Sequence, residues 1–229
     1  MTYVFANRPQ PTVPVSGTDA LFPVNRIYCV GKNYAAHIRE MGADLGRDAV
    51  CFFMKPADAV VTGDRVPYPP GTHNLHYEGE LVIALGKGGA NIAQKDALDH
   101  VFGYAAGLDM TRRDLQLASA KLGHPWDTGK AFDASAPISP IVPVAECGHY
   151  AHETIKLWVN GQLRQDATFD ELIWKNHEII SELSKLYTLQ AGDLIFTGTP
   201  AGVGPVVAGD TLVLTIARLP TLTVHLTRA

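Results

Sequence analysis

The chain has 229 residues, 46% of them hydrophobic and 18% charged, which is the composition of an ordinary globular domain. Its net charge is −4, from 19 basic and 23 acidic residues mixed along the sequence, which excludes a basic stripe for nucleic acid or anionic lipid. No apolar run is long enough to cross a bilayer, the N-terminus lacks a secretion signal, and the dispersed cysteines form no disulfide framework. We therefore expect a cytoplasmic protein that binds neither nucleic acid nor membrane.

The N-terminal part of the chain predicts an arm that leads into one domain. Residues 1–24 are rich in proline and lack a clear period, so we expect an extended arm there and a single catalytic domain at residues 25–229. The first strands of that domain are predicted at residues 27–30 and 52–56, where short apolar runs end at a glycine or before a proline.

A short helix is predicted between these strands, at residues 33–41, with Gly42 ending it. His37 and Glu40 are three positions apart, so they share one face of this helix. Such a pair is a common surface contact. It is also the arrangement in which a carboxylate orients a histidine that acts as a base.

Two further predicted strands carry acidic side chains. In residues 76–85, Glu78 and Glu80 point to the same face, because successive side chains of a strand alternate. The apolar run of residues 101–108 ends on Asp109, which could also be a turn or helix cap. Neighbouring carboxylates repel each other and are costly to bury without a cation. If the strands lie close, the three acids describe a site for Mg²⁺ or Mn²⁺.

The remaining chain contains many short strands and few helices. A helix is predicted at 111–122, where it ends at Gly123 and carries Arg113 and Gln116 on one face, and a loop with Lys130 follows at 124–143. A hairpin is predicted at Asn160 and Gly161, and a second helix at 176–187. The last predicted elements are a buried strand at 194–197, a glycine-rich turn at 198–204 and two strands within 210–226. The absence of regular strand–helix alternation predicts an α+β, mainly β domain.

Seven short motifs, in this order, resemble the fumarylacetoacetate hydrolase family, and in particular its short acylpyruvate hydrolases. They lie at residues 31–37, 54–56, 78–80, 108–116, 129–132, 159–161 and 197–204. The resemblance extends over about residues 26 to 229. It implies the mixed β-sandwich roll of that family, with a few short helices, usually assembled as a homodimer.

The same resemblance implies roles for ten residues. The metal ligands are Glu78, Glu80 and Asp109, for Mg²⁺ or Mn²⁺; the catalytic residues are His37, Glu40 and Lys130; the substrate-binding residues are Lys55, Arg113, Gln116 and Thr199. His37 is expected to activate water while Glu40 fixes its tautomer. The metal is expected to orient an acylpyruvate and to stabilise the charge that develops on its pyruvate part.

The implied activity is hydrolysis of a carbon–carbon bond, with fumarylpyruvate, cleaved to fumarate and pyruvate in aromatic breakdown through gentisate, as the preferred substrate. Oxaloacetate decarboxylation is an alternative, because it needs the same metal-stabilised charge but no activated water. A hydroxylated dienoate could instead be isomerised or decarboxylated. A binding module that keeps the fold without chemistry is the non-enzymatic alternative, which the presence of every expected site position disfavours.

Overall fold

The structure is a computed structural model, and it describes residues 3–6, 8–40 and 49–228. Short β-strands dominate these residues. In chain order they are β1 Thr12–Pro14, β2 Leu21–Pro23, β3 Ile27–Gly31, β4 Cys51–Lys55, β5 Val60–Val61, β6 Arg65–Pro67, β7 Leu75–Tyr77, β8 Gly79–Leu85, β9 Val101–Leu108, β10 Thr111–Arg112, β11 Ala136–Pro137, β12 Val142–Pro143, β13 Thr154–Val159, β14 Gln162–Thr168, β15 Leu194–Phe196, β16 Gly204–Val206, β17 Thr211–Ile216 and β18 Leu222–Thr227.

The helices are short and lie between the strands. They are α1 Ala35–Glu40, α2 Arg113–Leu122, α3 Asp127–Lys130, α4 Val144–Cys147 and α5 Asn176–Leu186, with single 3₁₀ segments at Ala57–Ala59, Gln94–His100 and Phe169–Glu171. The predicted mainly β fold is therefore confirmed. Met41 and Gly42, where the first helix was predicted to end, lie outside the described residues.

A six-stranded sheet, in the order β12-β9-β8-β15-β3-β4, forms the centre of the molecule. Its pairs are antiparallel except for β15 and β3, which run parallel. Every residue of β8 is buried, as expected for a central strand covered on both faces. Alternation along β8 places Leu81 and Ile83 in one core cluster and Val82 and Ala84 in another, so the sheet separates two cores.

The second sheet, in the order β14-β13-β17-β18-β6, covers one face of the first. Its inward residues, such as Leu157 and Leu214, belong to the same core cluster as Leu81. The predicted hairpin joins β13 to β14 through Asn160 and Gly161, whose φ angles are +50° and +78°. Positive φ at both turn residues is the mark of a type I′ turn, which Asn-Gly favours.

Residues 1–24 were predicted as an extended arm. Within the described part of this segment, β1 and β2 pair antiparallel, and Val13 and Phe22 are buried in the core cluster on the other face of the six-stranded sheet. This hairpin therefore shields that face from water. The proposed boundary between arm and domain at residue 25 stays a prediction.

Three sequence predictions need local correction. The strand predicted at residues 76–85 is broken at Glu78, because β7 joins a small sheet, β10-β7-β16, while β8 joins the central one. The helix predicted at 111–122 begins at Arg113, since the two residues before it form β10. The loop predicted at 124–143 contains α3, β11 and β12, which are too short to have a periodic signal.

Gly107 lies in β9 at a point where no side chain fits. A Cβ atom there would lie 2.5 Å from Val82 Cγ2 and 2.7 Å from Phe196 Cε1. We expect Gly107→Ala to lower the free energy of unfolding by about 1–3 kcal/mol, because overpacking forces its neighbours to move. Urea unfolding measures this loss. Gly63→Ala is the control, since its Cβ would meet nothing within 4 Å. Equal stability of the two variants would contradict the packing described.

Candidate metal centre and active site

Glu78, Glu80 and Asp109 meet at one end of the central sheet. Gly79 pairs with Leu108, and the N–H of Asp109 donates a hydrogen bond to the carbonyl of Glu78 at 2.9 Å. This register brings the three carboxylates together, with one oxygen of each within 4.8 Å of the others. All three residues are buried. The predicted proximity of the two acidic strands is therefore found in the structure.

Three cations surround the carboxylates. Lys130 Nζ donates hydrogen bonds to Glu78 Oε2 and Asp109 Oδ2, both at 2.7 Å. Arg113 Nη2 donates to Glu78 Oε1 at 2.5 Å. Lys55 Nζ lies 2.8 Å from Asp109 Oδ1. Among the described residues, Glu80 is the one member of the triad that forms no ion pair, although its Oε2 accepts a hydrogen bond from the N–H of Gly198 at 2.7 Å.

The surroundings of Glu78 and Glu80 shift the pKa values of these two carboxyl groups in opposite directions. Burial acts to raise the pKa of Glu78, but the Lys130 and Arg113 charges outweigh it and hold that pKa well below its usual range. Burial, followed by repulsion from Asp109 and Glu78, raises the pKa of Glu80 well above its usual value. Glu80 is thus the carboxylate whose ionisation the surrounding protein groups support least.

A divalent cation fits this cluster. Its donors are all carboxylate oxygens, the hard ligands that Mg²⁺ and Mn²⁺ prefer. A cation held by the three acids would also give Glu80 a directly bound positive charge, since none of the described cations forms an ion pair with it. The residues present therefore suit a hard divalent metal, and Glu78, Glu80 and Asp109 would hold it.

His37 and Glu40 form the expected pair on α1. The Nδ1 atom of His37 lies 3.3 Å from Glu40 Oε2, and His37 is 8% exposed. The carboxylate of Glu40 is held from its other side, where both oxygens accept from the N–H of Gly202 at 3.1 and 3.2 Å. The glycine-rich turn after β15 therefore fixes the carboxylate that orients the histidine.

Arg113 organises the donors on α2. Its Nη1 donates to Gln116 Oε1 at 2.5 Å, and its Nε donates to His76 Nδ1 at 3.4 Å. Burial, together with the Arg113 charge, lowers the pKa of His76 to about 4, so this imidazole is neutral and can accept. Since Gln116 Oε1 is occupied by Arg113, the group that Gln116 can offer a ligand is its amide NH₂.

A cavity of about 210 Å³ brings most of the predicted site residues together. Its polar lining consists of Lys32, His37, Glu78, Glu80, Arg113, Gln116, Lys130 and Thr199, and its apolar lining includes Val30, Ile38, Phe53, Leu117 and Trp126. Of the predicted residues, Glu40, Lys55 and Asp109 are outside this lining and contact residues that belong to it. The arrangement is a small-molecule site with a charged part and an apolar wall.

Lys55 was predicted to bind substrate, but the structure places it behind the carboxylates. Its side chain is fully buried, and its Nζ donates to the carbonyls of Met110, at 3.1 Å, and Lys130. In this placement Lys55 supports Asp109 and the Lys130 backbone and does not line the cavity, and its predicted contact with substrate stays a prediction. The sequence around Lys55, a lysine before a proline, cannot reveal this position, because it does not show from which side β4 approaches the three carboxylates.

Thr199 is held by a residue that the sequence analysis missed. Gln165, on β14, donates from Nε2 to Thr199 Oγ1 at 2.8 Å, and its Oε1 accepts from the N–H of Gly79 at 3.0 Å. The Thr199 hydroxyl in turn donates to the carbonyl of Gly79 at 2.9 Å. Its proton is therefore committed, and the hydroxyl is not a free donor for a substrate carboxylate. No local signal marks Gln165, because its role arises from packing between the two sheets.

Comparison with known proteins agrees with this geometry. A family model described as fumarylacetoacetate (FAA) hydrolase C-terminal matches residues 26–227. The chain belongs to the fumarylacetoacetate hydrolase family. The family resemblance expected from the seven motifs is thereby confirmed.

Three proteins are similar to this chain over most of its length. Fumarylpyruvate hydrolase of a Ralstonia species is 51% identical over 169 residues, 72% of this chain and 85% of the relative. The oxaloacetate tautomerase YcgM of Escherichia coli K12 is 39% identical over 196 residues, 85% and 89% of the two chains. The crystal structure of fumarylpyruvate hydrolase from Pseudomonas aeruginosa, in complex with Mn²⁺ and pyruvate, is 48% identical, covers 100% of both chains and has a TM-score of 0.96. The likeness therefore extends to the whole fold.

The described helices give no indication of a membrane span, since none combines the necessary length and apolar character.

Adding Mn²⁺ should stabilise the protein through Glu80. At a concentration one hundred times the dissociation constant, a bound ion adds about 2.7 kcal/mol to the free energy of unfolding. We expect Glu80→Gln to lose most of this gain, because it removes a ligand, while the metal-free variant stays folded since a costly buried charge is gone. Thermal unfolding with and without Mn²⁺ measures both effects.

Glu146→Gln is the matched control, because Glu146 is exposed and is not a member of the acidic cluster. It should keep the full response to Mn²⁺. If Glu80→Gln responds to Mn²⁺ as strongly as Glu146→Gln does, Glu80 is not a ligand.

Proposed function

We propose that the protein hydrolyses the carbon–carbon bond of an acylpyruvate, with fumarylpyruvate as its substrate and fumarate and pyruvate as products. The observation that carries this proposal is the position of the His37–Glu40 pair at the cavity that Glu78 and Glu80 of the acidic triad line. Hydrolysis needs both an activated water and a place for negative charge, and the cavity offers both. The Ralstonia and Pseudomonas relatives, both fumarylpyruvate hydrolases, support the choice of substrate.

A divalent cation, Mn²⁺ or Mg²⁺, bound by Glu78, Glu80 and Asp109 would supply the positive charge that stabilises the electron pair left on the pyruvate part. The protein groups around it would balance the substrate's own charge. Arg113 and Lys130 bind Glu78 and Lys55 binds Asp109, so these cations offset the three carboxylates, and the bound metal would leave the floor positive enough to accept an anionic acid.

His37 is the proposed base. Because Glu40 Oε2 lies beside Nδ1, a neutral His37 carries its proton on Nδ1, and Nε2 is left with the lone pair that takes a proton from water. The hydroxide equivalent adds to the carbonyl carbon of the acyl group. The bond between this acyl carbon and the methylene of pyruvate then breaks, its electron pair stays on the pyruvate part, and a proton is returned to that carbon.

The oxygen of the attacked carbonyl needs hydrogen-bond donors as it becomes negative. The amide NH₂ of Gln116 is available, because the Oε1 atom is the part that Arg113 occupies. Lys130 has all three of its N–H groups committed, to Glu78, Asp109 and Thr111, each at 2.7 Å. Lys130 can therefore donate a hydrogen bond to the substrate only after one of these acceptors has left it to bind another cation.

Oxaloacetate tautomerisation is the second candidate, favoured by the relative from Escherichia coli. It moves a proton between carbon and oxygen and breaks no carbon–carbon bond, so it needs the acidic triad and a base but no attacking water. Oxaloacetate decarboxylation, the alternative expected from the sequence, shares the same charge stabilisation. The position of His37 suits hydrolysis and tautomerisation, which both need a base, whereas decarboxylation does not require one.

The assembly and the setting belong to the same proposal. We propose a homodimer located in the cytoplasm, with a role in the breakdown of aromatic acids, on the strength of the family resemblance. The three cysteines are free thiols in the structure, which suits a reducing compartment. Light scattering of the purified protein tests the dimer independently of activity.

A substrate panel tests the proposed reaction. The purified protein is given fumarylpyruvate, acetylpyruvate or oxaloacetate, each with Mn²⁺, with Mg²⁺ and after chelator treatment, and the loss of ultraviolet absorbance is followed while products are identified. We expect metal-dependent release of pyruvate and fumarate from fumarylpyruvate. Fast enol–keto exchange of oxaloacetate with no cleavage of either acylpyruvate would favour the second candidate instead.

Replacing the base separates hydrolysis from binding. We expect His37→Ala to lower kcat for fumarylpyruvate by about 10²–10⁴-fold, the usual contribution of a positioned base. Stabilisation by Mn²⁺ should be unchanged, since His37 is not one of the proposed ligands. His152→Ala is the control, because His152 is an exposed histidine that also pairs with a carboxylate, that of Asp170. Similar kinetics for both variants would contradict the role of His37.

A further inference from the structure

Lys32 is a charged residue of the cavity that the proposed reaction does not use. It lines the cavity together with the cations Arg113 and Lys130. Those two are tied to Glu78 by ion pairs, whereas the side chain of Lys32 forms no ion pair or hydrogen bond within residues 3–6, 8–40 and 49–228. Its ammonium group is therefore available to a ligand.

Exposure places Lys32 on the solvent side of the cavity, whereas the acidic triad is buried. Glu80 is 1% exposed, Lys130 is 2% exposed and Arg113 is 3% exposed, so they form the floor. Lys32 is an exposed residue that still belongs to the lining, so it stands where the cavity opens to water. The three cations at the floor balance the three carboxylates there, so a divalent cation bound by the acids would make the floor positive, and Lys32 adds a positive charge at the mouth.

The backbone holds Lys32 in an uncommon conformation. Its φ angle is +59°, in the left-handed region that residues with a side chain rarely adopt. The next residue, Asn33, is fixed by hydrogen bonds from its Nδ2 to the carbonyls of Trp174, at 3.1 Å, and Thr197, at 2.7 Å. A glycine would suit this φ better, so the backbone conformation does not explain the lysine, whose side chain stands at the mouth of the cavity.

The wall between the two ends is apolar and partly aromatic. The rings of Phe53 and Trp126 lie 5.7 Å apart, and both line the cavity together with Leu117. A flat, unsaturated carbon chain fits beside such a wall. A ligand with an anionic group at each end and a planar apolar middle would match the whole cavity.

We propose that Lys32 is a specificity-determining residue that binds the distal carboxylate of a dicarboxylic acylpyruvate. This inference rests on the proposed function, because it assumes that the α-keto acid end of the substrate lies at the acidic triad. It extends that function by naming what selects the acyl group. Fumarylpyruvate carries the second carboxylate and acetylpyruvate does not, so Lys32 discriminates between them.

Lys32→Met tests the proposal, because it keeps the length of the side chain and removes the charge. We expect kcat/KM for fumarylpyruvate to fall about tenfold, mainly through a higher KM, since a charge-assisted contact made in both the ground state and the transition state is lost. For acetylpyruvate the same variant should stay within twofold of the wild type. Lys32→Arg should keep most of the preference for fumarylpyruvate. Lys95→Met, at an exposed lysine outside the cavity, is the control.

The outcomes separate this inference from the function on which it rests. Equal loss on both substrates, or no loss on either, would overturn the role of Lys32 while leaving the hydrolase intact. If the wild-type protein with Mn²⁺ hydrolyses neither acylpyruvate, the proposed function is wrong and this role falls with it. Selective loss on fumarylpyruvate, with restoration by arginine, would support both.

Discussion

The repulsion among three buried carboxylates is the constraint on which the rest of the site depends. Glu78, Glu80 and Asp109 lie within 4.8 Å of one another in a region that water hardly reaches. Such an arrangement is unfavourable unless cations accompany it. Lys130 and Lys55 contact the cluster directly, and both are almost fully buried themselves, so these lysines are as dependent on the acids as the acids are on them. Removing one partner would leave an unpaired buried charge.

The sheet register explains how a chain can hold these charges together. Strands β8 and β9 pair along their whole length, which fixes the side chains of Glu80 and Asp109 on the same face. The break at Glu78, where β7 leaves for another sheet, lets its carboxylate meet Arg113 and Lys130 at once. The apolar pairing of the two strands thus supplies the stability that the acidic end lacks.

Much of this could be predicted from the sequence, and the exceptions have a common cause. The spacing of Glu78 and Glu80 was enough to predict that they lie close together, although the strand breaks at Glu78, and helical spacing was enough to pair His37 with Glu40. Both features arise from the local backbone. The role of Gln165 and the buried position of Lys55 arise from the way separate sheets and loops pack, which no period in the sequence records. The periods of strand and helix predicted which site side chains are neighbours. The packing of sheets and loops determines which of their atoms face the cavity.

The number of free hydrogen-bond donors limits which ligands the cavity can recognise. The Thr199 hydroxyl proton and all three N–H groups of Lys130 are used within the protein, so a substrate meets fewer free donors than the residue types suggest. Among the described side chains, the amide of Gln116 and the remaining N–H groups of Arg113 are left at the floor, and the ammonium of Lys32 is left at the mouth. Only donors that have no partner within the protein can select a ligand by hydrogen bonding. The contacts that hold the site together therefore also limit the anions that the cavity accepts. A dicarboxylic acyl chain uses both ends of this cavity, whereas a short neutral one leaves the outer charge in water.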